Sequence, residues 1–315
     1  TKLIKNEELI VNYLLNDTVK PTVFRQRLLK KRYKFKCECL FCKPVTDDRV
    51  KLENLTLYPI CRECYKPDRN NPDIMPYKID SNKGVCMNLK CLKEYAIQDI
   101  HKTINYAHQS LNECKKYITR VASIPDMKYK SKPSSYGTVE TQTTFALQEL
   151  MKYTSDIHYL RIEFLKIKGE FEALKGEDDE RIKTQEQIYR FYEIYFGKYS
   201  PWLAKESVTL GSLISNKANQ YKLKLKDNID NKKPLNMKIF ALATKYFKRA
   251  FKLRQSGINV LETCLGKFSP FVEINQKQME DDIDNGKAMT QLKHHNIGIT
   301  RNGHGEPMLG PANNQ

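Results

Sequence analysis

From Tyr95 onward the apolar residues recur at steps of three and four: Ile97, Ile100, Ile104, Ala107, Leu111, Cys114 and Ile118. That is the period of an amphipathic helix. Pro125, Pro133, Ser134, Ser135 and Gly137 interrupt it and predict a loop over residues 124–142. Helical patterns resume at 143–174, 180–196, 201–225, 235–256 and 257–266. Asp178-Asp179-Glu180 suits a helix start, because carboxylates are favoured at the positive end of the helix dipole. The expectation is a mainly α chain in which residues 94–272 stack as antiparallel helix pairs. From residue 285 the sequence is polar and aperiodic, which predicts an extended or disordered tail.

The first ninety residues read differently. Glu8-Leu9-Ile10-Val11-Asn12-Tyr13 is strand-like. Residues 21–33 form a basic helical pattern with Pro21 in the first turn. Residues 34–92 hold Pro44, Pro59, Pro67, Pro72 and Pro76 and few apolar residues, so an irregular region folded with the help of a metal is expected.

Phe196-Gly197-Lys198-Tyr199-Ser200-Pro201-Trp202 recurs as Leu265-Gly266-Lys267-Phe268-Ser269-Pro270-Phe271. Each Ser-Pro pair suits an N-cap followed by proline at the first helical position. The recurrence predicts a tetratricopeptide-like helical repeat of about 34 residues, counted twice.

The 315 residues carry a formal net charge of +17. Such a charge suits nucleic-acid binding. Yet the lysines are spread along the sequence and accompany abundant Asn, Ile and Tyr, a bias that AT-rich coding produces by itself. Direct nucleic-acid binding is therefore not the expected main function. No run of eighteen apolar residues occurs, so no membrane partner is expected.

Seven of the nine cysteines lie between residues 37 and 91. Cys37, Cys39 and Cys42 are spaced C-x-C-x2-C, and three thiolates on so short a loop converge naturally on one zinc ion. Cys61 and Cys64, with Cys86 and Cys91, form C-x2-C and C-x4-C knuckles that supply a complete four-thiolate zinc site. Close thiolate pairs suit a reducing, intracellular compartment in the cytoplasm or nucleus. Cys114 and Cys264 stand alone in helical patterns and are expected to be buried small hydrophobes. The histidines show no metal-ligand spacing.

The order of these pieces is informative. Glu7-Glu8-Leu9 is followed by Tyr13, then by the basic helix, then by Tyr33-Lys34-Phe35-Lys36-Cys37-Glu38-Cys39-Leu40-Phe41-Cys42. This series resembles the end of a SET domain running into its post-SET zinc loop, as in the SET-and-MYND (SMYD) family of protein lysine methyltransferases. The match is specific over residues 3–42. Asn6 stands where the family has glycine, and asparagine tolerates the same positive φ. The resemblance implies the end of a SET β-fold at 1–33 and a cysteine-rich post-SET and second zinc-knuckle region at 34–92. A TPR-like helical domain at 93–284 and a polar tail at 285–315 would follow. It implies that the chain is the C-terminal part of a longer polypeptide, with the fourth ligand of the first zinc site on an upstream SET cysteine. Tyr13 then holds the catalytic tyrosine position and Phe35 stacks on the adenine of S-adenosylmethionine. The acceptor would be a lysine of a histone or non-histone protein, and the helices would dock a protein partner. A catalytically silent structural protein with the same architecture is the rival expectation.

Overall fold

The computed structural model describes residues 20–39, 41–43, 46–61, 63–64, 77–80, 83–86, 90–122, 135–231, 233, 236–265 and 269–302. The strand expected around Glu8 and the 303–315 end of the tail lie outside these residues, as does Tyr13. The chain divides into two compact units, Thr1–Tyr195 and Phe196–Gln315. The division falls inside the expected 93–284 helical domain.

In the first unit, α1 (Thr22–Tyr33) follows Pro21 and ends on Lys34, a left-handed residue at φ 62°. α2 (Asp47–Leu57) is capped by Thr46, whose side chain accepts from the Arg49 N–H. Three antiparallel strands follow in the order β1 (Tyr77–Asp80), β2 (Lys83–Cys86) and β3 (Glu94–Ala96). Tyr77 pairs with Cys86, and Val85 with Glu94. The irregular region expected over 34–92 therefore contains a helix and most of a small sheet. The signal was hidden because these elements are too short to show a period.

α3 (Ile97–Ala122), α4 (Ser135–Tyr153), α5 (Tyr159–Lys175) and α6 (Asp178–Phe196) follow. α3 buries Ile97, Ile100, Ala107, Leu111 and Cys114, the stripe its period predicted. α4 buries Val139, Thr143, Ala146 and Leu150 at helical spacing. These faces meet Leu160, Phe164, Ile167 and Phe171 of α5 in one core. Residues 157–165 are buried without interruption, so α5 is the central helix of this unit.

Two boundaries differ from expectation. α4 begins at Ser135, inside the stretch expected as loop. The expected helix 143–174 is broken at 154–158, where polar groups divert the backbone. Thr154 Oγ1 donates to the Leu150 carbonyl, Ser155 Oγ to the Leu55 carbonyl, and the Ile60 N–H to the Tyr153 carbonyl. α5 ends at Gly176, φ 72°, whose N–H and that of Glu177 close the last turn. α6 starts at Asp178, as its acidic first turn suggested.

The second unit holds α7 (Pro201–Asp230), α8 (Met237–Leu265) and α9 (Pro270–Asn302). Ser200 caps α7 by accepting from the Trp202 N–H at 3.1 Å, with Pro201 at the first turn. Ala204, Ser207, Gly211, Ile214 and Ala218 are buried along α7 in steps of three and four. Ala243, Phe247, Ala250, Arg254, Gly257 and Leu261 do the same on α8. Small residues face each other here. A Cβ at Gly257 would lie 2.7 Å from the Ala204 carbonyl oxygen, and one at Gly211 would lie 3.2 Å from that of Ala250. Asp282 of α9 is buried, pairs with Arg254 at 2.8 Å and accepts from Ser215 Oγ.

The 34-residue repeat count does not describe this unit. The two Ser-Pro junctions open α7 and α9, and between them lies one pair of helices 30 and 29 residues long. Gly257, where the expected helices 235–256 and 257–266 adjoin, sits inside α8 at a close contact. The tail expected from 285 begins as helix, because α9 runs to Asn302. Cys264, expected to be buried, is exposed on the last turn of α8.

Candidate metal centres

Cys61, Cys64, Cys86 and Cys91 bring four sulfur atoms within 4.8 Å of one another. Cys61 Sγ lies 3.7 Å from Cys91 Sγ, and Cys64 Sγ lies 3.6 Å from Cys86 Sγ. A tetrahedron of thiolates around zinc, with bonds of about 2.3 Å, has edges of about 3.8 Å. The donor set and its spacing therefore fit zinc. Local structure explains the convergence. Ile60 is fully buried and hydrogen-bonded to Tyr153, which anchors the first knuckle against α4. Cys86 ends β2, and its N–H donates to the Lys93 carbonyl at 3.0 Å, so the second knuckle folds back on itself. Cys61 and Cys86 are buried against Ile100, with Tyr95 and Tyr153 beside them. Lys93 also reaches Glu63 across the two knuckles.

Cys37, Cys39 and Cys42 form a second group, again within 4.8 Å, with Cys39 exposed and the others half-buried. The N–H groups of Cys42 and Lys43 both donate to the Cys39 carbonyl at 2.9 Å, giving the tight turn the spacing implied. Gln26 of α1 holds the start of the loop through its side-chain amide and the Cys37 backbone. Burial pushes the Cys42 thiol up to about 12, although the Arg25 guanidinium acts against it. Burial also acts to raise Cys39, but hydrogen bonds from Cys37 and the backbone of Cys42 and Phe41 hold it below the ordinary value. A cation shared by the loop would hold its sulfurs as thiolates.

This loop is fastened by contacts between segments far apart in the sequence. Phe41 lies between two guanidinium groups, 4.4 Å from Arg25 and 3.9 Å from Arg49, and meets the Tyr195 ring edge-on at 5.5 Å. Arg25 is 1% exposed and donates to the carbonyls of Lys20 and Phe41, to Thr22 Oγ1 and to Tyr195 Oη. Glu53 accepts from Tyr195 Oη at 2.6 Å and from Arg49 at 3.1 Å. Burial acts to raise the Glu53 carboxyl, but Arg25, Tyr195, the Thr22 N–H and Arg49 outweigh it and keep the group ionised. α1, α2, α6 and the three-cysteine loop are thus tied at one point. The available signal was Arg25 itself, which shares the buried face of α1 with Leu29.

Among the other expected site residues, Phe35 is half-buried on the segment between Lys34 and Cys37. Cys114 is buried and contacts Thr143 Oγ1 at 3.4 Å, a packing role. No helix among the described residues is long and apolar enough to cross a membrane. No protein-family model and no curated protein matches this chain.

Proposed function

We propose that this chain is a metal-stabilised part of a SET-type protein lysine methyltransferase resembling the SMYD family. The observation that carries this reading is the convergence of Cys37, Cys39 and Cys42 immediately after a basic helix. In this reading Tyr13 orients the acceptor amine and excludes misaligned approach, because in-line methyl transfer depends on alignment. Phe35 offers its ring to the adenine of S-adenosylmethionine, which supplies the methyl group when bound. Cys37, Cys39 and Cys42, with a fourth ligand from a SET segment, would hold zinc and so keep the Phe35 segment in place. Cys61, Cys64, Cys86 and Cys91 would hold zinc beside Ile100 of α3 and Tyr153 of α4. The helices dock a protein partner or wall the substrate cleft.

The second reading is a catalytically silent scaffold. Its support is the fastening of Phe41 by Arg25 and Arg49, which makes the first metal loop a staple between helices.

Methyl transfer from labelled S-adenosylmethionine to a protein mixture, with cofactor binding measured by calorimetry on the full-length polypeptide, separates the two. Tyr13→Phe should lower the rate roughly a hundred- to a thousandfold with cofactor binding retained, the loss of one oriented transition-state contact. Phe35→Ala should weaken cofactor binding. A full-length protein that binds no cofactor leaves the scaffold.

A further inference from the structure

Most lysines are spread along the sequence, but the basic stretch at α1 keeps a local group of cations on one exposed face. On α1 the buried face carries Arg25 and Leu29. At about 100° per residue, Arg27, Lys30 and Lys31 fall within about 60° of the opposite direction. All three are exposed, as are Lys34 and Lys36 just beyond the helix. Between Thr22 and Lys43 the only acidic residue is Glu38. Elsewhere in this unit several lysines have carboxylate partners: Lys115 with Glu163, Lys168 with Glu172, Lys175 with Glu140 and Lys183 with Glu180. Arg27, Lys30 and Lys31 have no ion-pair partner among the described residues, and Glu53, the carboxylate near α1, is taken up by Arg25 and Arg49 on the buried side.

We propose that this face of α1 binds the phosphate backbone of a nucleic acid. The proposal is independent of the methyltransferase reading. Three other occupants fit less well. A membrane-surface helix must bury an apolar face in lipid, and the face of α1 opposite the cations is already buried in protein. Protein interfaces are depleted of lysine at their centres and built on apolar anchors, whereas this stripe is lysine and arginine. A lysine-bearing substrate segment would be repelled. A polyanion of regular charge requires only cations in a row, held on a rigid element.

The test is fluorescence anisotropy of a labelled 20-base-pair DNA duplex with the whole chain, over a salt series. Arg27, Lys30, Lys31 and Lys34 neutralising about four phosphates give a slope of log K against log salt near −3.6, or roughly a hundredfold weaker binding between 50 and 200 mM. Replacing all four by glutamine should remove most of the slope. A comparison variant replaces Lys83, Lys152, Lys183 and Lys287, all exposed and paired, by glutamine. It lowers the net charge equally and should keep the slope. Lys31→Gln alone, the mildest change to the helix, should lower it by about 0.9. Equal losses in the two fourfold variants would assign binding to overall charge and overturn the proposal. So would an unchanged slope in Lys31→Gln, no binding at 50 mM salt, or competition by polyglutamate or phosphatidylserine vesicles as strong per charge as that by DNA.

Discussion

The side-chain amide of Gln26 and the backbone of Cys37 bond to each other in both directions. Nε2 donates to the Cys37 carbonyl at 2.6 Å, and Oε1 accepts from the Cys37 N–H at 3.0 Å. A helix side chain thereby imitates a strand partner and fixes the first sulfur of the C-x-C-x2-C loop. Gln26→Ala should lower zinc affinity there by about 5- to 150-fold, the value of two hydrogen bonds of about 0.5–1.5 kcal/mol each. Competition with a chromophoric chelator measures this, and the four-cysteine site should keep its affinity in the same sample.

Glu53 is the shared partner of two guanidinium groups. Glu53→Ala would leave Arg25 and Arg49 without their carboxylate in a site where Arg25 is almost wholly buried. Breaking such a network costs about 3–5 kcal/mol. Tyr195→Phe removes only the hydroxyl between Arg25 and Glu53 and should cost about 1–3 kcal/mol. Urea midpoints of the two variants against wild type check both the values and their order.

Close packing of α7 on α8 leads to opposite effects of one substitution. Gly257→Ala would place a methyl 2.7 Å from the Ala204 carbonyl oxygen and 2.9 Å from Val208 Cγ2. Overpacking of this kind costs about 1–3 kcal/mol and outweighs the helix propensity gained. Gly286→Ala on α9 meets nothing within 4 Å and should stabilise by up to about 1 kcal/mol. Thermal unfolding of the two variants should move in opposite directions.

His158 gives stability a pH dependence. It precedes α5 without a side-chain cap bond to it, its Nε2 contacts the Leu57 carbonyl at 3.3 Å, and burial pushes it down to about 3. The unfolded chain, with an ordinary histidine near 6.5, binds the proton first. Stability from the buried neutral ring is therefore present above about pH 6.5 and falls as pH drops toward 3, by up to about 1.4 kcal/mol per unit. Burial lowers His108 in the same sense. Urea midpoints at pH 7 and pH 5 should fall more for wild type than for His158→Gln. Equal falls would assign the pH dependence to other groups.

The helices from Ile97 onward were legible because each has a face that is apolar at helical spacing, as in Ile100, Ala107, Leu111 and Cys114. The break at 154–158 was not, since it depends on Ser155 meeting the Leu55 carbonyl, 100 residues away. The length of α8 was not legible at Gly257, where a residue that weakens a helix locally is required by a neighbouring backbone. Both cysteine groups were legible, because thiolate spacing within a short loop already restricts where the sulfurs can go. Pairing of Cys61 with Cys91 and of Cys64 with Cys86 depends on the fold of the sheet. Of the Phe41 clamp only Arg25, on the buried face of α1, left a trace in the sequence, because the rest is built from separate segments.

Metal content tests the central claim most directly. Elemental analysis and zinc-edge X-ray absorption on protein purified without chelator should give at least one zinc per chain, in a shell of sulfur at about 2.3 Å. Cys61→Ser should remove one equivalent and destabilise the β1–β3 sheet with its knuckles, because the metal replaces a core there. Folded wild-type protein free of zinc, or zinc content unchanged in Cys61→Ser, would contradict the assignment of the four thiolates to a metal centre.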